Sequence, residues 1–108
     1  MKYDELSYER RVAESQRLRH RYPSSVPVVV RCDFIEKRQY IVPYSVTVGQ
    51  FLHTLRQSVS MHASQALFLF VGNNTLVPSA ATMLYVTDHH LEDDGFLLMT
   101  LEKEKVFG

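Results

Sequence analysis

Apolar positions change their spacing along the chain, from helical to strand-like and back, and this alternation predicts seven elements. Residues 7–21 contain neither Gly nor Pro, and Tyr8, Val12 and Leu18 share one face at helical spacing. Ser7 caps this basic helix, and Tyr22-Pro23 ends it, because the residue before a proline avoids the α region. Residues 26–32 are rich in β-branched side chains and predict a strand buried on both faces. Asp33 to Lys37 is a polar connection to a second strand over 38–46. Pro43 has no N–H to give to a ladder, so this strand either lies at a sheet edge or stops pairing there. Thr47 caps a helix over 48–59 whose Val48, Phe51, Leu52, Leu55 and Val59 form one apolar face. Residues 66–71 form a short apolar strand, and Gly72-Asn73-Asn74 is a turn that opens a loop through Pro78. Thr82 to His90 predicts a short helix, Glu92 to Gly95 a solvated acidic turn, and residues 96–101 a last strand before a polar tail.

Two hairpin strands crossed by a helix, followed by two more strands, form an α+β layout of the β-grasp type. The expected fold is a four-stranded mixed sheet crossed by a helix, with an N-terminal helical extension. At 108 residues the chain has the length of one domain, divided into an N-terminal helical region (1–22), the sheet core (23–101) and a flexible tail (102–108). With 45% hydrophobic and 22% charged residues the composition is globular, and about two-thirds of the unfolded surface should be buried. The single Cys32 excludes an internal disulfide and a multi-cysteine zinc site. No signal-peptide core opens the sequence and no apolar run approaches the ~18 residues that span a bilayer, so the expectation is a cytosolic protein whose membrane contact is peripheral or covalent.

Charge changes this picture by its distribution. Residues 1–56 hold ten Lys/Arg against six Asp/Glu, or +4, and residues 57–108 hold two against six, or −4. Each half can present a charged surface, or the charges can simply solvate two faces. A nucleic-acid footprint would need a domain-wide basic excess, which is missing, so nucleic acid is not an expected partner. His89-His90 stand beside Asp88, Glu92 and Asp93, but adjacent histidines point to different sides of a helix and the i,i+4 pair that grips zinc is absent. No metal or cofactor is expected. Cys32 follows apolar residues at a strand end and reads as a small buried hydrophobe rather than a nucleophile. The four glycines never cluster into a phosphate loop, so an enzyme is the least favoured class.

Taken together the segments resemble the autophagy ubiquitin-like modifier family, that of GABARAP and the microtubule-associated light chains. The matching pieces are Glu9-Arg10-Arg11, Leu18-Arg19 with Arg21-Tyr22-Pro23, Val26 to Val30, Tyr40-Ile41-Val42-Pro43 and Thr47 to Phe51. They continue through Ala66 to Val71, Ser79 to Met83, Glu92 to Leu97 and the final Phe107-Gly108, collinear over residues 9–108. The resemblance implies a ubiquitin-like β-grasp. It also implies a chain that is a substrate and adaptor, not a catalyst: its C-terminal glycine is adenylated by an activating enzyme, passed as a thioester to a conjugating enzyme, and joined to phosphatidylethanolamine.

Gly108 is then the conjugated residue, since a residue without Cβ lets a thiol and then an amine approach closely, and Phe107 is an apolar handle for the processing enzymes. With nothing after Gly108, trimming by the family's cysteine protease is expected to be unnecessary, and that protease remains a partner in deconjugation. The resemblance further implies a groove for cargo receptors carrying an aromatic-x-x-aliphatic motif, added as a strand beside the second strand. Its aromatic pocket would be lined by Glu14, Leu18, Pro27, Ile41 and Phe96, with Lys37 nearby. Its aliphatic pocket would be lined by Tyr40, Val42, Pro43, Val46, Phe51 and Leu55. Leu18, Phe51, Leu55 and Phe96 can equally be core, the commoner fate of such residues, and some are expected to serve both purposes.

Arg10, Arg11, Arg17, Arg21, Arg38 and Arg56 would attract acidic flanks of such peptides. Ser24-Ser25, Gln39, Thr54 and Ser58 depart from the family pattern, and Asn73-Asn74-Thr75 looks like an insertion, so weaker or retuned peptide binding is expected, mainly in the aliphatic pocket. The implied location is the cytoplasm, with autophagosomal membranes and vesicles after lipidation. The alternative is an unconjugated adaptor that binds such peptides or microtubules.

Overall fold

The computed structural model describes residues 2–59 and 65–104. Phe107 and Gly108 therefore lie outside the described residues. The apolar run at 26–30 becomes the interior strand β1 (Ser25–Arg31), with Val26 to Val30 all buried. β2 (Gln39–Pro43) pairs antiparallel with it and forms one edge of the sheet. The strand ends at Pro43, three residues before the expected end at 46. α2 (Val48–Gln57) follows from a Thr47–Gln50 capping box and buries Val48, Phe51 and Leu55.

β3 (Leu67–Val71) alternates inward Leu67, Leu69 and Val71 with outward Phe68 and Phe70. The segment expected as a loop contains a further strand, β4 (Thr75–Leu76), so the sheet has five strands instead of four. A three-residue loop, Gly72 to Asn74, joins β3 to β4, with Gly72 at φ 54° and Asn74 at φ 58°. Gly and Asn tolerate this left-handed region, so Asn73-Asn74-Thr75 supplies both the turn and the start of the added strand. α3 (Met83–His90) is capped by Thr82 and buries Met83 and Val86.

β5 (Leu97–Lys103) runs parallel to β1 and antiparallel to β3, giving the order β2-β1-β5-β3-β4. Glu102 and Lys103, expected to belong to a mobile tail, are paired with Phe68 and Leu67, because backbone pairing beside β3 continues whatever the polarity of the side chains. The main core lies between the sheet and α2 with α3, and it includes the buried Cys32.

α1 (Tyr8–Arg21) lies against the opposite face, beyond a short 3-10 turn at Tyr3–Glu5 that the sequence pattern did not predict. Only part of its apolar stripe docks it: Leu18 packs against Tyr3, Val29 and Phe96, but Tyr8 is 50% exposed and the helix's buried residue is Ser15. The Ser15 hydroxyl donates to the Asp94 carbonyl. A Cβ on the neighbouring Gly95, at φ 92°, would collide with Ser15 Oγ. Helix and turn thus meet backbone to side chain, at a contact that only glycine permits.

Candidate functional site

The register of the edge hairpin decides which side chains share a face. Val26 sits opposite Val42 and Val28 opposite Tyr40, all towards α2. Pro27 sits opposite Ile41 and Val29 opposite Gln39, all towards α1. The Val30 N–H donates to the Arg38 carbonyl at 2.7 Å and the Tyr44 N–H to the Ser24 carbonyl at 3.0 Å. Antiparallel alternation therefore points the main-chain groups of Tyr40 and Val42 into the hairpin ladder and those of Ile41 and Pro43 outward, to the open edge.

On the α1 face, Phe96 (1% exposed) packs with Tyr3 and Val29, with half-buried Leu18 against them. Pro27 is fully buried. These residues and Ile41, expected to line the aromatic pocket, share this face, with Phe96 and Pro27 buried and Leu18 and Ile41 half-buried. Glu14 is half-buried and accepts hydrogen bonds from Arg17, which hold its carboxyl below the usual carboxylate range.

On the α2 face, Tyr40 meets Phe51 edge-on at 5.4 Å, with Val42 and Leu55 buried and Val46 packed beside them. Burial pushes the Tyr40 hydroxyl up from its ordinary value. Val46 is held because its carbonyl accepts the Met83 N–H at 2.8 Å, which ties the connection after β2 to the start of α3. Pro43 is exposed at the strand's end, and by strand parity it belongs to the α1 side.

Lys37 sits across from its expected neighbours: its Nζ lies 4.9 Å from the centroid of the Tyr40 ring, while the Tyr40 hydroxyl donates to the Lys37 carbonyl at 2.8 Å. Among the departures, Thr54 is exposed and its hydroxyl donates to the Gln50 carbonyl, so it adds no apolar wall, and Ser58 is exposed at the end of α2. Of the arginines expected to face partners, Arg11 is turned inward on Asp94 and Arg17 is engaged by Glu14, whereas Arg10 is exposed.

The turn at 92–95 holds the residues that the sequence reading missed. Asp94, expected in a solvated acidic turn, is 4% exposed. One carboxylate oxygen accepts from the Tyr3 hydroxyl and from Arg11 Nε at 3.1 Å, and the other from the Phe96 N–H at 3.0 Å. Burial, and then the bond to Asp94, pushes the Tyr3 hydroxyl well above the ordinary tyrosine value. Two of its three donors, Tyr3 and Arg11, come from the other end of the sequence, so the cluster carries no local pattern, which is why it was invisible. Among the described residues no cluster of His, Cys, Asp or Glu could hold a metal ion.

A family model described as autophagy protein Atg8, ubiquitin like, matches residues 10–108. The chain belongs to the Atg8 family. It is 44% identical to autophagy-related protein 8c of Arabidopsis thaliana over 106 residues, 93% of this chain and 88% of that protein. It is 38% identical to autophagy-related protein 8 of Schizosaccharomyces pombe, over 97% of this chain and 91% of that one. The crystal structure of Trypanosoma brucei ATG8 matches with a TM-score of 0.87 at 32% identity, covering 98% and 96% of the two chains. A Plasmodium falciparum Atg8, solved in complex with a peptide of Atg3 from the same organism, matches with a TM-score of 0.78 at 32% identity, over 92% of each chain. The Atg8 chain is thus a ubiquitin-like autophagy protein with an N-terminal helix and a mixed five-stranded sheet, and members of its family are modifiers, not enzymes.

Proposed function

We propose that this Atg8 protein is one ubiquitin-like domain conjugated through Gly108 to phosphatidylethanolamine on autophagosomal membranes. There it recruits proteins that present an aromatic-x-x-aliphatic strand to β2. The observation that carries the recruiting half is the edge itself: β2 is an open edge strand whose side chains alternate between a face shared with Pro27 and Phe96 and a face shared with Val28 and Phe51. Side chains i and i+3 of an extended peptide point to opposite faces, so an aromatic residue and an aliphatic residue three places on suit one pocket each. The complex of the Plasmodium falciparum relative with an Atg3 peptide supports peptide capture by this fold.

The conjugating half rests on family membership and on the terminal Phe107-Gly108. Activation would form a glycyl adenylate from ATP with release of pyrophosphate. Transfer to the enzyme's thiol releases AMP, and attack by the lipid amine releases the thiol and leaves an amide. Its partners are then the activating and conjugating enzymes, the deconjugating cysteine protease and motif-bearing receptors, and its place is the cytoplasm and the autophagosomal membrane. The test mixes the chain with family enzymes, ATP and phosphatidylethanolamine liposomes and reads intact mass. A gain of one lipid that Gly108→Ala abolishes supports the reading. A folded chain left unmodified by enzymes active on another family member refutes conjugation.

A further inference from the structure

Resting on that reading of the groove, we infer that Tyr3 and Asp94 are positioning residues for its aromatic pocket, so that the N-terminal segment is part of the peptide site and not only an appendage to the fold. The Asp94 carboxylate is a two-ended clamp. One oxygen takes the Phe96 N–H at 3.0 Å, fixing the backbone of the residue that floors the pocket, and the other takes the Tyr3 hydroxyl and Arg11 Nε. Tyr3 is 7% exposed, and its ring stands edge-on to the Phe96 ring with centroids 5.3 Å apart and planes at 76°. The Arg11 guanidinium lies 5.0 Å from the centroid of the same tyrosine ring.

Tyr3 therefore meets Phe96 edge-on through its ring and holds Asp94 through its hydroxyl. An edge-to-face pair with a buried hydrogen bond leaves the Phe96 ring little freedom. On the same sheet face, one rung along from Pro27 and Ile41, a cavity of about 600 Å³ opens between Lys2 to Glu5 and the Val29–Gln39 rung. Tyr3 is a wall of that cavity as well as a support of the pocket floor. If Tyr3 is lost, Phe96 can tilt into the space vacated, and an aromatic side chain entering from the peptide meets a floor no longer held flat.

The test is a double-mutant cycle between protein and peptide. The full chain, its Tyr3→Ala and its Tyr3→Phe variants are titrated, by amide NMR shifts, with three peptides. These are an aromatic-x-x-aliphatic parent, one with leucine in place of the aromatic residue, and one with alanine in place of the aliphatic residue. Tyr3→Ala is expected to weaken the parent and the alanine peptide about tenfold each, and the leucine peptide less than about twofold. Tyr3→Phe, which keeps the ring and loses the hydroxyl bond, falls between. A purely structural role for Tyr3 would weaken all three peptides alike, and that result overturns the inference, as does no weakening at all. If Tyr3→Ala does not fold, Tyr3→Phe decides by the same comparison: selective loss on the two aromatic peptides supports the inference, and equal affinity overturns it. A wild-type chain that binds none of the peptides refutes the groove and this inference with it, an outcome separate from binding without coupling.

Discussion

The Asp94 carboxylate collects the Tyr3 hydroxyl, the Arg11 guanidinium and the Phe96 N–H in a site that is almost closed to water. An unpaired buried carboxylate costs several kcal/mol, so each donor matters more here than it would on the surface. The same burial acts on Tyr3, whose hydroxyl is held in its neutral form far beyond the ordinary tyrosine range, and burial raises Tyr40 in the same direction. A raised value means that the folded chain keeps a phenolic proton that the unfolded chain releases. This contribution to stability is complete below the ordinary tyrosine value of about 10 and is lost as the pH rises past it. Urea unfolding between about pH 9 and 11.5 should therefore show stability falling with pH, and falling less steeply in Tyr3→Phe, which has one fewer proton to lose. Parallel profiles for the two proteins would show that Tyr3 does not carry the effect.

At the scale of elements, whatever was encoded by neighbours in sequence was legible and whatever was encoded across the fold was not. The Thr47 cap of α2, the β-branched run of β1 and the edge position of Pro43 are all local facts, and all appear in the fold. β4 has two residues and exists only because the turn before it folds back on β3. α1 docks through Ser15 and Arg11 as well as through Leu18 of its apolar stripe, so hydrophobic spacing pointed to only some of the contacts for the right helix.

The candidate site was legible in part. Pro27, Ile41 and Phe96 share one face of the edge hairpin and Tyr40, Val42 and Phe51 the other, but Pro43 and Lys37 fall on the sides opposite to the residues they were grouped with, Pro27, Phe51, Leu55 and Phe96 are buried, and the clamp behind Phe96 had no sequence pattern. The edge also makes a prediction at this scale. A strand added beside β2 bonds through alternate residues, meeting Ile41 and a Pro43 that offers only its carbonyl. N-methylation of a bound aromatic-x-x-aliphatic peptide should cost at least about tenfold in affinity where the blocked N–H faces β2, and little at the next residue. Equal losses at successive positions in calorimetric titrations would rule out strand addition.

Over the whole molecule, the two proposed activities use different parts of one sheet. β5 carries the chain to Lys103 beside β3, and the segment with Gly108 continues from there, whereas the peptide edge is β2, on the far side of β1. With β1 between β2 and β5, the two lines of backbone are about 10 Å apart at the strand spacing of about 4.8 Å. The interior β1 and β5 are parallel and mostly buried, and β1 stands between the strand that leads to the tail and the edge. Binding at the groove and chemistry at Gly108 should accordingly be separable. A ligand that binds only the folded state stabilises it by about 2.7 kcal/mol at one hundred times its Kd. Chemical denaturation with an aromatic-x-x-aliphatic peptide at that concentration should show this gain equally in the wild type and in Gly108→Ala, although the variant accepts no lipid. A smaller gain in Gly108→Ala would mean that the tail contributes to the groove, and the two activities would then have to be treated as one site.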